Sequence, residues 1–233
     1  MLSACCIQAQ EKAIRLGIKA GANFSLFTNK VSPFSEPVAD KYAYFRRDVR
    51  PSAMGGVTAE FMLTKGFSIG AEVLFSSRGM SHSEKNSYVV TYDTEGNKTV
   101  GRNRYNYNID YLEIPVTINY DFEKNSERTR LIGYVGLAPA MNTHAKTKLR
   151  YADNLDGDGY RTPNEDAKLN NVRLFNNNFI FGIQLGEKGS RKPNVFGDLR
   201  GSYTLRSVFN SSALTNDPNT KMITGTIAVG IKF

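Results

Sequence analysis

Residues 221–233, Lys-Met-Ile-Thr-Gly-Thr-Ile-Ala-Val-Gly-Ile-Lys-Phe, alternate without a slip. Ile223, Gly225, Ile227, Val229, Ile231 and Phe233 share one face of an extended segment, and Thr224, Thr226, Ala228, Gly230 and Lys232 share the other. Successive strand residues point to opposite faces, so this segment has one aliphatic wall and one small, polar wall. A membrane β-barrel turns the first wall to lipid and the second to its lumen. With an aromatic at the end of the pattern, the segment reads as the closing strand of such a barrel.

Composition permits that reading. The 233 residues suit one all-β domain. No apolar run approaches the roughly 18 residues of a membrane-crossing helix. The mean hydropathy of −0.39 decides nothing, because the two faces of a barrel strand cancel in any average.

Residues 1–10 resemble the tail of a secretory signal, which leaves residues 11–233 as the barrel domain. Leu2-Ser3-Ala4-Cys5 also matches a lipobox whose cysteine would be lipidated. Both cysteines, Cys5 and Cys6, lie in this segment, so the body has no disulfide framework or thiolate metal site.

Alternation recurs along the chain at 16–27, 56–63, 67–78, 105–120, 179–186 and 195–206, with a strand of ambiguous phase at 131–141. The 56–63 and 67–78 segments, joined through Thr64-Lys65-Gly66, form the clearest hairpin. Together with the closing strand these predict an all-β, eight-stranded, antiparallel, up-and-down transmembrane barrel. Connections at 64–66, 121–129 and 187–193 are short; those at 28–50, 81–104, 142–172 and 207–219 are long. That asymmetry predicts short periplasmic turns, long extracellular loops and both termini in the periplasm. Phe61, Phe67, Tyr120, Phe122, Phe196 and Phe233 fall at the short-turn ends and predict an aromatic girdle there.

Gly17-Ile-Lys-Ala-Gly-Ala-Asn-Phe24, Phe67-Ser-Ile-Gly-Ala-Glu-Val-Leu-Phe75, Tyr111-Leu-Glu-Ile-Pro-Val116 and Gly230-Ile-Lys-Phe233 resemble the small outer-membrane β-barrel family of Bacteroidetes-type bacteria, often labelled PorT-like. The likeness runs from about Arg15 onward, long loops excluded. It implies residence in the bacterial outer membrane and folding by the barrel-assembly machinery, which reads a C-terminal aromatic strand. It implies no activity; one member serves a protein secretion system, which suggests a partner in a secretion or uptake complex.

With the aliphatic face outward, Lys19, Glu60, Glu72, Glu113, Asp198, Arg200, Arg206 and Lys232 point into the lumen. An eight-stranded barrel is only wide enough for side chains to fill, so these groups must neutralise one another. The expected arrangement sets Glu60, Glu72 and Glu113 against Arg200, with Lys19, Arg206 or Lys232 contributing. It serves as a plugged core or, alternatively, as a proton or ion relay. Gly21, Gly70, Gly182 and Gly230 would make room for the long side chains.

Asn154, Asp156, Asp158, Tyr160, Thr162 and Glu165 fit the positions of a twelve-residue calcium loop, with Gly159 at its turn. Hard oxygens at that spacing suit Ca2+, although Pro163 and the absence of flanking helices depart from the pattern. A solvated Asp-Gly turn is the simpler alternative. No other cofactor is expected.

Catalysis has little to stand on. Ser81-His-Ser-Glu84 places hydroxyl, imidazole and carboxylate together, as a lipid A-modifying hydrolase would need. Adjacent strand residues face opposite ways, however. The net charge of +8 is scattered over loops, where cations can pair with lipopolysaccharide phosphates, and nucleic acid is not an expected partner. The other alternative is a soluble lipocalin-like barrel with its faces reversed, its aliphatic wall lining a ligand pocket. The expected role is therefore non-enzymatic: partner binding through long extracellular loops, within a membrane of lipid and lipopolysaccharide.

Overall fold

The computed structural model describes residues 14–29, 46–64, 66–92, 94–126, 128–150, 165–169, 171–187, 193–210 and 219–233. Among them, regular secondary structure is entirely β: β1 (Ile14–Phe27), β2 (Arg46–Asp48), β3 (Arg50–Met62), β4 (Phe67–Tyr92), β5 (Lys98–Glu113), β6 (Val116–Asp121), β7 (Thr129–Arg150), β8 (Glu165–Lys168), β9 (Phe175–Glu187), β10 (Asn194–Thr204) and β11 (Met222–Lys232).

These segments fill eight positions around one antiparallel sheet. Starting at β1, hydrogen bonding passes to β11, β10, β9 and β7. It continues through β5 and β6 to β4, then β3, and returns to β1. The sheet closes on itself, so the described strands of the ring are paired on both sides through the barrel portion. Phe233 N, donating to Leu16 O at 2.7 Å, continues the seam to the last residue.

The strand expected at 105–120 is split at Ile114-Pro115. Proline cannot donate to a ladder, so the register breaks there. The interruption costs few bonds, because Ile114 N donates to Pro139 O and Glu72 N donates to Pro115 O. The connection expected at 81–104 is largely strand, and the described part of 142–172 includes the end of β7 and the whole of β8. β4 and β5 continue as a ribbon whose tip spans only residues 93–97, and β7 runs on to Arg150. β2 and β8 pair with the outer parts of β4 and β7.

Alternation fixes which wall faces where. Val57, Val73, Val116, Ile118, Leu137, Phe181, Ile183, Leu199, Ile227 and Val229 are exposed on the outside, Val229 by 60%. Their strand neighbours of the other parity are buried inside, Lys19 to 3%. The lipocalin-like alternative needs the reverse. At the short-connection end, Phe61, Phe67, Phe122 and Phe233 are exposed. The Tyr120 ring lies 4.9 Å from that of Phe67 and 5.1 Å from that of Phe122.

Strand β7 explains the ambiguous phase. Even-numbered Arg130, Ile132, Tyr134, Ala138 and Ala140 point inward, then odd-numbered Ala145, Thr147 and Leu149 do. Tyr111 pairs with Asn142 and Asp110 with His144, so Thr143 is an extra residue, a β-bulge that flips the alternation.

Candidate functional site

The interior is layered. In the layer nearest the short connections, Arg130 grips Glu60 with two nitrogens, Nη1 to Oε2 at 2.9 Å and Nη2 to Oε1 at 2.7 Å. Its Nε donates to Asp121 Oδ2 at 3.1 Å. Glu60 also accepts from Ser68 Oγ at 2.6 Å and Lys232 Nζ at 3.0 Å. The Lys232 ammonium stands 4.8 Å from the centre of the Phe196 ring, a cation–π contact.

The middle layer is a ring of four charges. Lys19 Nζ donates to Glu72 Oε1 and to Asp198 Oδ2, each at 2.8 Å. Arg200 Nη2 donates to Glu72 Oε2 at 2.8 Å, and its Nε to Tyr134 Oη at 3.0 Å. The Tyr134 hydroxyl in turn donates a hydrogen bond to Asp198 Oδ1 at 2.6 Å. Gly182 makes this possible: a Cβ there would stand 2.5 Å from Tyr134 Oη, so only glycine lets the phenol lie across the strand.

In the third layer Arg78 Nη2 donates to Glu113 Oε2 at 2.8 Å, and Arg78 Nε to Ser76 Oγ at 3.1 Å. Each layer is neutral: Glu60 and Asp121 against Arg130 and Lys232, Glu72 and Asp198 against Lys19 and Arg200, Glu113 against Arg78. Charges out of water demand such pairing, since an unpaired one costs several kcal/mol.

Beyond the charges the interior turns apolar. Phe27, Met80, Tyr105, Tyr107, Ile109, Tyr111, Leu149 and Met222 form one buried cluster, with Leu169, Val208 and Phe209 folded over it from the connections. Phe27 packs edge-on to Tyr107 and Phe209, with ring centres 6.0 and 5.7 Å apart. Arg173 N bonds Val208 O, and Val208 N bonds Thr220 O, both at 2.8 Å, which ties the connections across this end.

Lys19, Glu60, Glu72, Glu113, Asp198, Arg200 and Lys232 therefore lie inside, in three layers rather than one cluster. Two expectations need correction. Arg206 is exposed, because β10 ends at Thr204 and the chain bends before the next inward position. Phe196 is buried inside rather than standing on the outer wall. It shares parity with Asp198 and Arg200, so it cannot sit on the girdle face, and its ring occupies the space above Gly230. Arg130, Arg78, Asp121 and Tyr134 complete the network and are absent from the sequence-based set. Parity alone marks Arg78, two residues beyond inward Ser76.

Asn154, Asp156, Asp158, Tyr160 and Thr162 lie outside the described residues, and Glu165 enters them only as the first residue of β8. Among the described residues no group of three His, Cys, Asp or Glu side chains is placed to hold a metal. Ser81 and His82 fall on opposite faces, and the His82 ring packs inward, edge-on to Tyr107 at 5.6 Å.

The outer membrane protein beta-barrel domain family matches residues 8–210. The outer membrane protein OprG from Pseudomonas aeruginosa is 14% identical over 96% of this chain and 97% of its own, with a TM-score of 0.41. Ail, the attachment invasion locus protein of Yersinia pestis, is 12% identical over 94% and 98%, with a TM-score of 0.38. The outer membrane protease OmpT from Escherichia coli is 12% identical over 96% and 97%, with a TM-score of 0.36. No curated protein matches the chain.

Proposed function

The chain belongs to the outer membrane protein beta-barrel domain family, and from that premise we propose that it is an eight-stranded transmembrane barrel acting as a sealed, non-enzymatic scaffold. In this reading it presents the β4–β5–β7 ribbon and its long connections to partners outside the cell, in support of a secretion or uptake complex. The observation that carries it is the inversion of the two walls: aliphatic side chains outside, five carboxylates neutralised by five cations inside. Water-soluble sheets bury the first and expose the second. Only a lipid surrounding makes this arrangement favourable.

The orientation follows from asymmetry. Short connections and the aromatics Phe61, Phe67, Tyr120, Phe122 and Phe233 belong at the periplasmic interface, where the barrel-assembly machinery meets the terminal strand. We assign the chain to the PorT-like group on the segments around Gly17, Phe67 and Tyr111. The charge layers and the apolar cluster support a plug rather than a relay or pore, because ion pairs and aromatic rings fill the cross-section. The opposed placement of Ser81 and His82 speaks against a hydrolase.

The test is direct. The unboiled protein should migrate differently from the boiled one in SDS and partition with detergent, and vesicles carrying it should swell in solute no faster than empty ones. A protein that stays in the aqueous phase would remove the membrane reading. Stepwise currents across a planar bilayer would remove the plug.

A further inference from the structure

The ribbon beyond the aliphatic belt carries an arrangement that sheets usually avoid. Lys85 pairs directly with Arg102, Arg104 with Arg150, and Lys146 with Lys168. Like charges directly opposite each other repel and destabilise a strand pair. All three pairs lie on one face: Arg102 and Arg104 alternate with buried Tyr105 and Tyr107, Lys146 and Arg150 with buried Leu149, and Lys85 and Lys168 stand directly opposite Arg102 and Lys146. Lys148 lies on the same face. The carboxylates there are Asp48, Asp110 and Asp166; among the described residues only Lys148 has an acid partner, Asp166 at 3.4 Å. A recess of about 630 Å³ lies between Arg102, Arg104, Arg150, Ser81 and Ser83, with Asp48 as the one carboxylate among its described lining.

We propose that this wall of cations binds the phosphorylated core sugars of lipopolysaccharide. The inference rests on the outer-membrane reading and its orientation. Phase and height choose the ligand. Phe75, Leu112 and Met141 are cross-strand neighbours and mark the top of the belt. At about 2.5 Å of height per residue of a tilted strand, the cations stand roughly 10 Å (Lys146) to 25 Å (Arg102) above it. That band lies beyond lipid A, at the depth of the core. The wall faces sideways, toward the surrounding leaflet, rather than up from the mouth. Phosphate groups seated between the paired cations turn three repulsive contacts into bridged, charge-assisted ones.

The experiment uses the full chain folded in detergent micelles, with three probes: lipopolysaccharide with a phosphorylated core, the same material dephosphorylated in the core, and heparin. Binding of the first should weaken about tenfold or more on dephosphorylation, and equally in an Arg102→Gln, Arg104→Gln, Arg150→Gln variant. That variant should also lose most of the ionic-strength dependence of binding, and its apo form should melt no lower than wild type because repulsion is relieved. A Lys146→Gln, Lys168→Gln variant gives the same two readouts independently if the first folds poorly. Equal binding by wild type and variants, or indifference to core phosphate, overturns the proposal. Preference for heparin over lipopolysaccharide overturns the lipid source and assigns the wall to a sulfated glycan. The heat-dependent mobility shift is scored on every sample: its presence with no binding refutes this inference alone, and its absence in wild type refutes the barrel reading.

Discussion

The middle ring of charges makes a quantitative prediction about Glu72. It holds two cations, Lys19 and Arg200, against Glu72 and Asp198, all buried. Glu72→Gln keeps shape and volume but leaves an excess positive charge, and Lys19→Met leaves an excess negative one. Removing one member of a buried pair costs about 3–5 kcal/mol, mostly from the partner left behind. Independent effects would sum to about 6–10 kcal/mol. The double variant is neutral again, with Arg200 still against Asp198 and Tyr134. It should fall short of the sum by at least about 2 kcal/mol. The chain has no tryptophan, so the assay follows folded and unfolded bands on unboiled SDS gels after equilibration in urea with lipid vesicles. At about 2 kcal/mol per molar, each single variant should lower the midpoint by about 2 M. Additive losses would show that these residues act separately and would refute the ring as a unit.

Other outcomes follow from single contacts. Gly182→Ala should displace Tyr134 and cost about 1–3 kcal/mol, seen as a lower urea midpoint, whereas Gly225→Ala, whose Cβ meets nothing within 4 Å, should change little. Deleting Phe233 removes one seam hydrogen bond, worth about 1 kcal/mol, so it should slow assembly into membranes far more than it lowers the midpoint. If the 154–165 segment binds calcium as its spacing predicts, calorimetry on the whole protein should give a dissociation constant of about 10⁻⁴–10⁻³ M, typical of extracellular modules, and Asp158→Ala should abolish the heat.

Where alternation was unbroken, the architecture could be read from residues alone. The outward set at 67–75 and 223–229 and the inward Lys19, Glu60, Glu72, Asp198 and Arg200 follow from period two. What escaped reading has local causes. Arg130 sits at the start of a strand whose phase is blurred by Gly133, Gly136 and Pro139 and then inverted at Thr143. Phe196 stands at the level of the girdle, but its parity with Asp198 turns it inward. The apolar end of the interior was hidden because Tyr105, Tyr107 and Tyr111 occupy inward positions where a lumen is expected to be polar. The pairing of charges required register across strands far apart in sequence, which no local pattern contains.

Those distances have a consequence for how the molecule comes to be. Lys19 meets Asp198 across 179 residues, Glu60 meets Lys232 across 172, and Thr226 meets Asn23 across 203. Every one of these contacts waits for β10 or β11, which are synthesised after all the other described strands. A half-built sheet placed in lipid would drag Glu60 and Lys19 into hydrocarbon with part of their charge unmatched, at a cost of several kcal/mol. Contacts of such long range also form slowly. The order of events is therefore imposed by charge: the N-terminal strands must be held out of the bilayer until the C-terminal pair arrives, and zipping of the β1–β11 seam and entry into the membrane become a single step.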